Sequence, residues 1–287
     1  NVIVVDNKST YKSYDYNQLR LCMDQRSIDF KTKHIYPTDL LMKESVEHLF
    51  NTYKPEIVVH LASIPRQSFI DDDVIRTSKV MCEGLVTLLE LSKKYKVDKF
   101  VYASSVLVYG NCEGVVTESY DCKPQKSFAL YTNLAENLIR QYKEFKHCIL
   151  RLANVYGPTD LANRVVQTYV QNSLNNETLI VNGQHTEVDL IHVDDASEGI
   201  AKATVNTNTN DQTYNLTSNI NSKLFDTANL IIQTVKKGKV ELRQADINYP
   251  CQGIFDNSKA KKDFDFDIKI PLNEGIVSYI RYIQNNK

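Results

Sequence analysis

Short apolar runs rich in β-branched residues recur at Val2–Val5, His34–Tyr36, Ile57–Leu61, Phe100–Ala103 and Cys148–Leu152. Between them, apolar residues return every three or four positions over Met42–Tyr53, Val74–Tyr95 and Phe128–Tyr142. That spacing puts one apolar stripe on a helix. Strands alternating with helices predict βαβ units, a parallel sheet and helices on both of its faces. The right-handed crossover rule makes the arrangement doubly wound. After Gly157-Pro158 the pattern loosens. Helices are expected over Arg164–Leu174, Asp194–Val205, Lys223–Lys236 and Pro271–Gln284, with short strands at Leu179–Val181, Asp189–His192 and Thr213–Leu216. The chain therefore reads as α/β, with a doubly wound domain over 1–158 and a smaller mixed α/β lobe over 159–287.

Composition narrows the classes. A chain of 287 residues has room for one large core or two joined domains. Hydrophobic residues at 42% and charged residues at 24% match ordinary globular proteins. A net charge of −1 gives no long-range pull toward nucleic acid or anionic lipid, so neither is expected as a partner. No apolar run approaches the ~20 residues of a membrane span. The strand-like opening NVIVV is not a secretion signal. The expected location is the cytoplasm or a larger particle, not the secreted space. Cys22, Cys82, Cys112, Cys122, Cys148 and Cys251 show no metal-like spacing and read as buried free thiols. The six His are scattered, so no metal site is expected. Asn176-Glu-Thr and Asn215-Leu-Thr match the glycosylation pattern, which carries no weight without secretion.

Five motifs then stand in order: Val4-Val5-Asp6-Asn7; Asp39-Leu40; Val58-Val59-His60-Leu61-Ala62-Ser63; Ser104-Ser105-Val106-Leu107-Val108-Tyr109-Gly110; and Leu152-Ala153-Asn154-Val155-Tyr156-Gly157-Pro158 with Asp189-Leu190-Ile191-His192-Val193-Asp194-Asp195 downstream. Together they resemble the extended short-chain dehydrogenase/reductase family, specifically its NAD-dependent nucleotide-sugar epimerases and dehydratases, UDP-glucose 4-epimerase among them. The resemblance implies a Rossmann-like fold. It implies cofactor contacts from Asp6 (adenosine ribose), Asp39 (adenine) and the turn Leu61, Ala62, Ser63, and it puts Ser105 at the family's catalytic serine. Read from the residues alone, Asp6 equally caps the turn into Lys8-Ser9-Thr10, and Asp39 equally caps a helix over Leu40–Phe50. Ser104 and Ser105 equally satisfy backbone groups at a strand end. Tyr109 and Tyr156 read as packing residues, and Asp71-Asp72-Asp73 as a solvated helix start. Arg66 and Arg164 are candidates for a residual anion site.

The departures from the family pattern concern the chemistry. The family opens with a strand, a GxxGxxG turn and a helix that hold the cofactor pyrophosphate. Here the first residues already match the second strand, so the expected fold lacks that first βα unit. The family's YxxxK helix aligns through Leu134-Ala135-Glu136-Asn137, which puts Phe128 at the Tyr and Thr132 at the Lys. An alternative register uses Tyr131, with Ala135 then at the Lys. Met81 stands where the family has an Asn that helps place the Lys, and Val188 where it has the Arg that grips a substrate diphosphate. The leading expectation is a degenerate, non-catalytic family member with no bound cofactor and a structural or binding role in an assembly. The alternative is an active NAD(P)-dependent nucleotide-sugar epimerase or dehydratase whose N-terminus is absent from this chain, using Tyr131 and Ser105. The resemblance also implies a homo-oligomer built on Val74–Tyr95 and Phe128–Tyr142, with Leu85, Leu88, Leu89 and Leu91 as either its apolar face or core.

Overall fold

The computed structural model describes residues 1–9, 35–64, 67–160, 162–245 and 252–285. In chain order, β1 (Val4–Val5) and β2 (Ile35–Tyr36) pair in parallel. There follow α1 (Lys43–Tyr53), β3 (Ile57–His60), α2 (Gln67–Asp72) and α3 (Val74–Ser78). A π-helical stretch, Lys79–Gly84, joins α3 to α4 (Leu85–Lys94). Next come β4 (Lys99–Ser105), β5 (Val115–Val116), α5 (Ser127–Ile139), β6 (Lys146–Leu152) and β7 (Asn154–Tyr156). The remainder runs α6 (Val165–Leu174), β8 (Thr178–Asn182), β9 (Glu187–His192), α7 (Val193–Val205), β10 (Gln212–Leu216), β11 (Asn221–Lys223), α8 (Leu224–Val235), β12 (Lys239–Arg243), β13 (Ile254–Phe255), α9 (Ser258–Phe264) and α10 (Leu272–Asn285).

Contacts divide the chain into two compact units, residues 1–103 with 126–148 and residues 104–125 with 149–287. This division is interleaved, whereas the sequence pattern places one cut after Pro158.

In the first unit β3 pairs in parallel with β4, in register from Ile57↔Lys99 to His60↔Tyr102, and β4 lies beside β6. Leu85, Leu88, Leu89 and Leu91 are all buried, as are Phe100, Val101 and Ile139. The leucine stripe is therefore core, and it is not available as an oligomer face. Apolar side chains left outside on the same helices are Val86, Leu130 and Leu134. Asp73 caps α3, its Oδ1 accepting from Arg76 N at 2.9 Å. Asp71 and Asp72 close the preceding short helix instead of opening one.

In the second unit β10 lies beside β6. β9 pairs in parallel with β7 and antiparallel with β11. β12 pairs in parallel with β8, and β13 with β5. Val166, Val170, Leu179, Val181, Ile231 and Ile276 form the main core, and Val106, Val108, Tyr109, Val116 and Phe255 a second one.

Candidate functional site

The ends of β1 and β2 bring two of the five motifs together. Asp6 N donates to Tyr36 O at 3.1 Å, and Asn7 Nδ2 donates to Asp39 Oδ2 at 2.9 Å. Both carboxylates also serve the backbone: Asp6 Oδ1 accepts from Lys8 N at 2.7 Å and Asp39 Oδ1 from Leu41 N at 3.0 Å. These are Asx turns, the local bonding that short acidic side chains favour. Asp39 is not a helix cap, because α1 starts at Lys43 with Met42 at its N-cap position. Arg76 stands 4.0 Å from Asp39 Oδ2. After β3, Leu61 and Ala62 are exposed, and Ser63 Oγ donates to Ile64 O and Met81 Sδ, both at 3.4 Å.

The helix that aligns with the family's YxxxK is α5. Phe128 opens it, its N–H donating to Gln67 Oε1 at 3.1 Å. Its ring and that of Tyr131 pack against a cluster of Ile64, Ile70 and Met81. Thr132, one turn on, is 2% exposed. Its Oγ1 donates to Phe128 O at 2.8 Å, and its side chain shares a hydrogen bond with Tyr102 on β4. Burial raises the Tyr102 phenol well above its usual range, and nearby Glu136 reinforces this. Glu136, fully buried, pairs with Arg140 at 2.9 Å. Burial likewise holds His60 neutral, with its pKa lowered to about 4.

Ser104 and Ser105 belong to the second unit. Ser104 is buried, and Ser105 Oγ accepts from Leu107 N at 3.2 Å, which caps the helical turn Val106–Tyr109. Gly110 ends that turn at φ 69°, and a Cβ there would lie 2.0 Å from Lys123 O. That explains the glycine of the Ser104–Gly110 motif physically. Tyr109 is fully buried, stacked on Phe255, and donates to Asn215 Oδ1 at 2.7 Å. The Arg151 guanidinium lies 4.7 Å from the Tyr109 ring centroid. Asn215 is fully buried and also donates to Val116 O and Asp256 O, so it offers no amide for a glycan. Tyr156 is buried, packing edge-on against His192. Val188 is 1% exposed within the main core. Arg164 pairs with Asp160 at 2.9 Å, so its charge is already engaged. Arg66, Cys22 and Cys251 lie outside the described residues.

Reading the sequence missed Tyr102, Glu136, Asn215 and Asp189, whose Oδ1 accepts from Ser218 N at 2.8 Å, as network members. The available signal was their placement: polar residues in strands or on an apolar helix face that must find partners inside. Among the described residues no three His, Cys, Asp or Glu are grouped to hold a metal, and no helix is long and apolar enough to cross a membrane.

A profile of the NAD dependent epimerase/dehydratase family matches residues 1–217. Human dTDP-D-glucose 4,6-dehydratase is 23% identical, the match covering 99% of this chain and 86% of that one. The UDP-glucose 4-epimerase of Thermotoga maritima, solved with UDP-glucose, superposes with a TM-score of 0.85 at 23% identity, covering 99% and 91%. The UDP-glucuronic acid 4-epimerase of Bacillus cereus, solved with UDP-glucuronic acid and NAD, gives a TM-score of 0.89 at 20% identity, covering 100% and 92%. Likenesses this remote in sequence establish the Rossmann-like fold, and the profile match over most of the chain establishes descent: the chain belongs to the NAD-dependent epimerase/dehydratase family.

Proposed function

We propose that this chain is a non-catalytic member of its family, working as a binding or structural component of an assembly. The observation that supports this most is the pair Phe128 and Thr132. A phenyl ring exchanges no proton. Thr132 is neutral, buried and hydrogen-bonded to Phe128 O and Tyr102, so it supplies no positive field to acidify a neighbour. The alternative register gains nothing, because Ala135, one turn beyond Tyr131, is buried and apolar. Val188, in the core, puts no charge where the family grips a diphosphate.

The residues present fit only one end of an NAD molecule. Asp6, Asn7 and Asp39 at the strand ends suit a ribose and an adenine. The reacting end does not fit, since the acid–base tyrosine and its lysine have no counterpart at 128 and 132. The relatives solved with UDP-glucose, or with UDP-glucuronic acid and NAD, make those the ligands to try first. The proposed assembly is a homo-oligomer or a hetero-complex, in the cytoplasm or a larger particle. Exposed Val86, Leu130 and Leu134 are its contact candidates.

The experiment is direct. Purified protein is incubated with NAD and a panel of UDP-, dTDP- and GDP-sugars, and products are separated by chromatography. No epimerised or dehydrated product is expected. Turnover of any of these sugars overturns the proposal. Equilibrium dialysis with NAD reports separately on retained binding.

A further inference from the structure

In the second unit, residues 110–123 leave Tyr109 and come back to it. Lys123 N donates to Tyr109 O at 3.4 Å, and Lys123 O lies 2.0 Å from where a Cβ on Gly110 would stand. Between these ends β5 pairs with β13, and a turn in which Tyr120 N donates to Thr117 O at 3.0 Å reverses the chain. An excursion whose two ends meet is an Ω-type loop.

Two of the six cysteines stand at the base of this loop: Cys112 just after Gly110, and Cys122 immediately before Lys123. Cys112 is 1% exposed, and its Sγ accepts from Gly253 N at 3.4 Å. Cys122 is half-buried, where the sequence pattern leads one to expect a buried thiol. Far from being scattered, both side chains belong to one small cluster with Val106, Val108, Tyr109, Val116 and Phe255. Tyr109 stacks on Phe255 and meets Tyr120 edge-on at 6.1 Å, which fixes the surface that carries them.

We infer that Cys112 and Cys122 are a modification site, a thiol pair that peroxide closes into a reversible disulfide across the base of the loop. A disulfide joins residues whose Cα atoms are about 4.4–6.8 Å apart. Here the chain contact between Gly110 and Lys123 and the shared cluster bring the two cysteines toward each other. Most of the entropy of closing that loop is already lost on folding. Cys122 is the partner that meets solvent, so it reacts first. Its thiolate attacks one peroxide oxygen, the O–O bond breaks, and hydroxide leaves, giving a sulfenic acid. The Cys112 thiol then attacks that sulfur, gives up its proton, and the sulfenic oxygen departs as water. Two thiols lose two electrons in all, and one peroxide becomes two waters. Positive charge stands by the cluster, with Arg151 4.7 Å from the Tyr109 ring centroid and Lys123 next to Cys122 in the chain. A cationic surrounding favours the thiolate that peroxide needs.

The test treats the purified chain with a small excess of hydrogen peroxide, quenches it in acid, and alkylates it after unfolding. Digestion after glutamate cuts at Glu113 and Glu118, between the two cysteines, so a bond between them leaves two peptides joined. The expected result is that Cys112 and Cys122 lose alkylation together, their peptides joined and two hydrogens lighter, and that dithiothreitol restores both. In Cys122→Ser, Cys112 should remain open to alkylation after the same treatment. Three results in wild type each overturn the pair: both thiols still alkylated, Cys122 carried on to sulfinic or sulfonic acid beside an alkylated Cys112, or Cys112 joined to Cys251. Should the variant fail to fold, the wild-type digest decides alone.

Discussion

At the scale of single residues, the proposed absence of turnover is a matter of charge. A tyrosine without a neighbouring cation has a pKa near ~10, so about one in a thousand is ionised at pH 7, a penalty of ~4 kcal/mol at 1.36 kcal/mol per unit. Phe128 removes even that fraction. Thr132 has a role of its own, because its side chain partners Tyr102 inside the unit. Thr132→Val should therefore destabilise by about 1–2 kcal/mol, by leaving a buried hydroxyl unpaired. Thr132→Val with Tyr102→Phe should recover most of the loss, since replacing both partners is nearly neutral. Denaturant melts of the two single variants and the double close the cycle, and additive losses would show that the bond contributes nothing. Asn215 is the stricter case. It donates to Val116 O and Asp256 O and accepts from Tyr109, the first and last of these bonds fully buried. Asn215→Ala should lower stability by about 3 kcal/mol, read from the shift in denaturation midpoint.

At the scale of elements, legibility followed the length of the periodic signal. Helices such as Val165–Leu174 and Leu224–Val235 were predicted to within a residue or two, because a repeated apolar spacing survives noise. Lys239–Arg243 was missed: it is a charged, largely exposed strand whose partner, β8, lies sixty residues back. Val115–Val116 and Ile254–Phe255 were missed because two residues carry no period. The placement of Phe128 and Thr132 on one helix, α5, was legible, because the apolar spacing runs on through Leu134-Ala135-Glu136. The network at Asp189 was not, since its partners come from a turn and a distant loop. Gly275 shows how an element is placed by what it lacks. A Cβ on it would lie 2.1 Å from Tyr156 Oη, so α10 packs there only with glycine. Gly275→Ala should destabilise by about 1–3 kcal/mol through overpacking, seen as a lower melting temperature with unchanged helix content. An unchanged melting temperature would mean that α10 shifts freely.

At the scale of the whole molecule, two consequences follow from burial. His60 is held neutral with a pKa of about 4, below its unfolded value near ~6.5. The unfolded chain therefore takes up protons first, and the His60 contribution is present above about pH 6.5 and is lost as pH falls toward 4. His60→Phe keeps the ring against Phe100 and Tyr102 and should flatten that acid limb. An acid limb as steep as in wild type would place the loss elsewhere. The second consequence concerns association. With the leucine stripe of α4 inside, an oligomer must use what remains outside, and Leu130 and Leu134 lie one helical turn apart at 52% and 44% exposure. If these side chains meet a partner copy, light scattering of the purified chain should give a mass above that of the monomer. The double variant Leu130→Asp, Leu134→Asp should return it to one chain without changing its melt in isolation, because neither side chain supports the core. A wild-type monomer at tens of micromolar would remove the homo-oligomer and leave a hetero-complex as the assembly that this surface serves.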